Sequence, residues 1–102
     1  MKSTTKNILI TKIANDTMYS EEIVSEILES FMKTVKDEVA SGKVVSLRKF
    51  GNFKPRFKKA TTARDIRRNK ILQVPARYAA YFKASKYFDN QVSQLIHKNE
   101  SN

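Results

Sequence analysis

The chain has 102 residues with twenty Lys and Arg against ten Asp and Glu, a formal charge of +10, so it is one domain at most and its natural partner is a polyanion. It has no cysteine, which excludes disulfides, thiolate catalysis and cysteine-ligated metal, and its single histidine, His97, cannot build a metal site alone. The apolar run after Met1-Lys2-Ser3-Thr4-Thr5 is only Ile8-Leu9-Ile10, and nothing approaches the length of a membrane span, so a soluble, non-exported protein with no membrane partner is expected.

In residues 1–42 five basic and seven acidic side chains nearly balance. Thr4 or Thr5 can cap a first helix, with Leu9, Ile10, Ile13 and Ala14 at helical spacing and an end near Asn15-Asp16-Thr17. Ser20 caps a second helix, with Glu21 and Glu22 in its first turn, where carboxylates meet the positive end of the dipole. Its apolar positions, Ile23, Val24, Ile27, Leu28, Phe31, Met32, Val35 and Val39, make a stripe too wide for one neighbour. Part of it must face a sheet or a second subunit, and a domain this small gains much of its core from such a partner. Ser41-Gly42 ends the helix, the glycine being free to take positive φ.

Residues 43–83 carry thirteen Lys and Arg against one acid, Asp65, a formal +12 that exceeds the charge of the whole chain. The pattern here is β. Val44, Val45 and Leu47 open a strand, and Phe50-Gly51-Asn52-Phe53 reads as a bend or tight turn with aromatics on either side. Lys54 to Lys59 continues as extended chain, and Ile71-Leu72-Gln73-Val74 answers it beyond a basic tip, residues 63–70, which has too few apolar side chains to bury. That segment is expected to stand in solvent as a two-stranded arm. Ala79, Tyr81 and Phe82 suggest a strand returning to the core. Ser85 then caps a last helix with Phe88, Val92, Leu95 and Ile96 on one face, and the tail from Asn99 is expected to fray.

The order of these elements, together with Gly42 before the first strand, Phe50-Gly51-Asn52-Phe53, Pro75-Ala76 and Phe82-Lys83 followed by Lys86, resembles the bacterial HU and integration host factor family of DNA-bending proteins over roughly residues 5–95. The resemblance implies an α+β fold that assembles as an intertwined dimer: a helical base of two N-terminal helices and one C-terminal helix, a small antiparallel sheet, and a protruding two-stranded β-arm per subunit. It implies one domain over 1–102, with a helical dimerisation part at 4–41, the sheet and DNA-binding arm at 43–83 and a C-terminal helix at 85–98. The implied partners are double-stranded DNA and a second subunit, either a copy of this chain or a paralogue, with no cofactor and no small-molecule substrate, in the nucleoid of the bacterial cytoplasm. Architectural proteins of this kind bind the minor groove and bend the duplex.

The expected DNA-binding residues are Arg48, Lys54, Arg56, Lys58, Lys59, Arg64, Ile66, Arg67, Arg68, Lys70, Arg77, Lys83, Ser85 and Lys86. Any one of Lys54, Lys58 or Lys59 could be a merely solubilising charge on a strand edge. As a set, thirteen cations repel one another in the free protein, a cost that a polyanion relieves. Arg56, Arg64, Arg67 and Arg68 suit the narrow minor groove, where a guanidinium forks onto acceptor edges. Lys83 and Lys86 flank Ser85 at the positive end of the last helix, a natural phosphate seat. Arg48 falls where a sequence-selective member of the family also has arginine.

At the arm tip, most members carry Arg-Asn-Pro with a kinking proline; the aligned residues here are Arg64-Asp65-Ile66. Ile66 either enters a base step in the proline's place or packs against the arm or a neighbouring molecule. Arg68-Asn69 replaces the usual Thr-Gly of the ribbon turn, Asn tolerating the left-handed position. The expected dimer core takes Phe31, Val35, Leu47, Phe50, Phe53 and Phe82, with Tyr81 beside them, and His97 is expected at the surface. Nucleophile, base and orienting partner cannot be assembled from this inventory, so the expectation is a non-enzymatic protein of weak or no sequence specificity that compacts the nucleoid. A sequence-selective member of the family, an RNA-binding protein and a polyanion-binding module at a membrane surface are the alternatives. The last would need a basic amphipathic helix, whereas the early helices are acidic.

Overall fold

The computed structural model describes residues 2–96. His97 and the tail, including the end of the helix expected to reach 98, lie outside the described residues. The order is α1 (Lys6–Thr17), α2 (Glu21–Ala40), β1 (Val45–Leu47), β2 (Gly51–Lys58), β3 (Thr61–Asp65), β4 (Lys70–Val74), β5 (Arg77–Ala84) and α3 (Lys86–Ser93). The fold is α+β, and the chain divides into two compact units, 1–37 and 38–102.

In the first unit Thr5 caps α1 through its hydroxyl, which accepts from the Ile8 amide, and Met18 ends the helix in the left-handed region at φ 66°. Ser20 Oγ accepts from the Ile23 amide at 3.2 Å and starts α2. Ile10 and Ala14 of α1 close on Val24 of α2, with Leu28 packed against them. Around that seam, Thr11 Oγ1 donates to Glu21 at 2.8 Å. The Lys6 ammonium donates to the Glu29 carboxylate, a contact that holds Glu29 below the usual carboxylate range. Ile10, Ala14 and Val24 are the buried apolar side chains among the described residues. Of the wide α2 stripe among the described residues, Ile23, Ile27 and Phe31 are exposed and Met32, Val35 and Val39 are half-buried.

The second unit begins with the end of α2. Gly42 takes φ 94°, and the Gly42 and Lys43 amides donate back to Val39 and Glu38, the terminus read from Ser41-Gly42. β1, β2 and β5 form one antiparallel sheet in the order β1-β2-β5; β3 and β4 form a second, two-stranded one. Phe50, Phe53, Phe82 and Phe88 gather on the sheet and α3, with Phe50–Phe82 centroids 5.2 Å apart, Phe53–Phe82 4.7 Å and Phe50–Phe88 5.4 Å.

Two features differ from the sequence reading. The tight turn is Arg48–Phe50, closed by the Phe50 amide on the Leu47 carbonyl, and Gly51-Asn52-Phe53 is strand. Gly51 is there because of close approach: a Cβ would lie 2.5 Å from the Lys83 carbonyl oxygen and 2.6 Å from the Phe82 ring. The strand that answers residues 71–74 is Thr61–Asp65, while Lys54 to Lys58 pairs with β5.

Candidate nucleic-acid interface

β2 and β5 pair from Gly51↔Ala84 to Lys58↔Arg77, and β3 and β4 pair from Thr61↔Val74 to Asp65↔Lys70. Two residues on each side separate the ladders, so both belong to one register with nothing inserted. The interruption falls at Lys59-Ala60 and Pro75-Ala76, where proline has no N–H to donate to a ladder. The arm is therefore the outer part of a single long hairpin whose inner part is the body sheet.

Strand alternation then sorts the side chains. Phe53, Pro55 and Phe57 of β2 share one face with Phe82, Ala80 and Tyr78 of β5, and Val45 and Leu47 of β1 join them. The opposite face carries Asn52, Lys54, Arg56 and Lys58 with Lys83, Tyr81, Ala79 and Arg77. Five of the expected DNA-binding cations, Lys54, Arg56, Lys58, Arg77 and Lys83, are thus brought to one face. Lys58 and Arg77 stand directly opposite each other, an arrangement of like charges that costs stability in the free sheet. Lys54, Arg56, Tyr81 and Lys83, with Pro55 and Phe57 at the strand edge, line an open depression of about 470 Å³.

Tyr81 is placed differently from the sequence expectation. The alternation that turns Phe82 toward the phenylalanine cluster turns Tyr81 to the cationic face, opposite Lys54. The Arg56 guanidinium lies 4.6 Å from its ring centroid and the Lys54 ammonium 5.9 Å, both within cation–π range. The period-2 register from Phe82 was the signal that could have found it.

The remaining expected residues continue outward or flank the sheet. Lys59 lies in the break between the ladders, Arg64 on β3, Lys70 on β4, and Ile66, Arg67 and Arg68 in the turn between them, where Asn69 takes φ 51°. Ile66 is 87 % exposed. Within the tip, Asp65 Oδ1 accepts from the Arg67 amide at 3.1 Å and the Arg68 amide at 3.3 Å, and Arg64 donates to Asn69 Oδ1 at 3.3 Å. Arg48 lies exposed in the turn after β1. Ser85 caps α3 by accepting from the Phe88 amide at 3.1 Å, and its own amide donates to the Phe50 carbonyl. Lys86 is exposed in the first turn of α3. Of the expected dimer-core residues, Phe50, Phe53 and Phe82 cluster with Phe88, which sequence reasoning had placed only on a helix face, and Leu47 pairs opposite Gly51. Phe31 and Val35 lie about one turn apart on α2.

Among the described residues there is no group of three or more His, Cys, Asp or Glu that could hold a metal ion, and no helix is long and apolar enough to cross a membrane. The geometry defines a helix-supported sheet with one cationic face, prolonged by an exposed β-ribbon. The HU chain of an Anabaena HU–DNA cocrystal structure has this fold, with a TM-score of 0.82 and 28% identity, covering 87% of this chain and 97% of that one. The HU protein of Caulobacter vibrioides is 35% identical over 83 residues, 81% of this chain and 90% of its own length. Integration host factor subunit alpha of Buchnera aphidicola is 32% identical over 77 residues, 76% of each chain. The model of the family described as bacterial DNA-binding protein matches residues 4–93, and the chain belongs to that family.

Proposed function

We propose that the chain is an architectural DNA-binding protein that works as a dimer, grips duplex DNA between two arms along its minor groove, and bends it. One observation carries this reading: Lys54, Arg56, Lys58, Arg77 and Lys83 share one face of a hairpin whose register runs unbroken into an exposed arginine-rich ribbon. Cations at every second residue follow a phosphate backbone, and those contacts position without reading sequence. Arg64, Arg67 and Arg68 at the tip suit a narrow groove, and Ile66 is the apolar side chain that would enter a base step. Lys83 and Lys86, beside the α3 N-terminus, seat phosphates, while Lys59 and Lys70 add charge along the arm. The action is mechanical and calls on no catalytic group. Its place is the nucleoid, where weakly specific bending compacts DNA.

Dimerisation follows from the uncovered apolar surface. Phe31, Ile27 and Phe50 are exposed, and Val35, Leu47, Phe53 and Phe82 are only half-buried in the single chain. A second copy or a paralogous subunit would complete that core.

The test is a gel shift comparing linear, nicked and four-way-junction DNA with duplex RNA at several salt concentrations. Duplex DNA should be bound and the already bent or flexible DNAs bound more tightly, because part of the bending cost is removed. A-form RNA, with its wide, shallow minor groove, should bind more weakly. Duplex RNA bound as tightly as DNA would contradict the reading.

A further inference from the structure

Asp65 is the one acid in a segment of thirteen cations, and it sits at the part of the ribbon proposed to meet phosphate. A carboxylate there opposes binding, so charge alone gives no reason for it. Its hydrogen bonds do. Oδ1 accepts from the backbone amides of both Arg67 and Arg68, at 3.1 and 3.3 Å, and Oδ2 lies 3.8 Å from Arg68 Nε. The side chain is only 24 % exposed, tucked inside the turn, while Ile66, the residue it spans, is 87 % exposed. Carboxylate-to-amide bonds two and three residues ahead close a turn without help from the backbone ladder.

We propose that Asp65 is a positioning residue: its carboxylate braces the tip turn and thereby presents Ile66 outward in a fixed orientation before DNA arrives. An apolar side chain at the end of a solvent-exposed loop loses freedom when it is fixed between bases, and a turn closed in the free protein removes part of that loss in advance. The Arg64–Asn69 side-chain bond and the left-handed Asn69 fasten the other side of the same turn. The inference rests on the reading of Ile66 as a wedge, and it assigns to one carboxylate the rigidity that the wedge residue itself lacks.

The test compares Asp65→Ala with Asp65→Asn in the full chain. Asparagine keeps an acceptor for the two amides and removes the charge; alanine removes both. In the free protein, 15N relaxation should show the Arg67 and Arg68 amides falling to order parameters below about 0.6 in Asp65→Ala, while Asp65→Asn stays near the parent. On DNA, Asp65→Ala should bend less than the parent while binding at least as tightly, since a like charge to phosphate is gone, and Asp65→Asn should restore the bend. A merely destabilised arm would lose affinity together with bend. Tip amides in Asp65→Ala as ordered as in the parent, or Asp65→Asn as mobile as Asp65→Ala, would overturn the proposal. Ile66→Ala is measured alongside: if it bends DNA as the parent does, the wedge reading fails on its own, and the relaxation comparison alone decides what Asp65 does.

Discussion

Ile66, the proposed wedge, and Gly51, where the sheet has no room for a side chain, make opposite demands at the scale of one residue. Ile66 touches no core, so its replacement leaves the body intact. If it enters a base step, Ile66→Ala should keep affinity within about threefold of the parent, because phosphate contacts dominate binding, yet lose most of the bend. Ile66→Pro should bend at least as sharply, since the preceding residue, Asp65, is in a strand and tolerates a following proline. Bend angle by energy transfer between end-labelled dyes, on duplexes with and without a flexible pyrimidine–purine step, separates the two quantities. Gly51 makes the opposite kind of demand. A methyl group there meets the Lys83 carbonyl and the Phe82 ring at under 3 Å, so β2 and β5 must part or the phenylalanine cluster must shift. Gly51→Ala should cost roughly 1–3 kcal/mol, as overpacked sites do, read from the midpoint of urea unfolding. A midpoint equal to the parent's would mean that the sheet is not packed as described.

At the scale of elements, the cationic sheet face is held together against its own charge. Lys58 opposite Arg77 is a like-charge cross-strand pair, and such pairs cost a few tenths of a kcal/mol. Lys58→Gln should therefore raise the thermal stability of the free protein slightly while weakening DNA binding, and a loss of both would contradict the arrangement. Much of this element structure was legible in the sequence. Thr5, Ser20 and Ser85 announce helix starts because their hydroxyls accept from amides three residues on, and Gly42 and Asn69 mark left-handed positions that few other residues occupy. What was not legible depended on contacts across strands. Gly51 looks like a turn residue until the Phe82 ring is known to lie against it. Tyr81 looks like core until the register assigns it to the face of Lys54 and Arg56. Asp65 looks like a misplaced charge until its hydrogen bonds to the tip amides are seen.

For the whole molecule, the central consequence is that the single chain is unfinished. Among the described residues the buried apolar side chains are those of Ile10, Ala14 and Val24, each still 5–8 % exposed, a small core for a 102-residue protein. Sedimentation at low micromolar concentration should show one dimeric species, and a folded monomer there would contradict the assembly. The proposed dimer would double the cationic surface, with two sheet faces and two ribbons available to one duplex. The claim that these faces engage the DNA backbone is tested most directly by the dependence of duplex affinity on salt. With about eight to twelve phosphates contacted per dimer, log K should fall against log salt with a slope of roughly −7 to −11. A slope shallower than about −3 would mean that the cations of β2, β5 and the arm stay off the phosphates, and the account would be wrong at its centre.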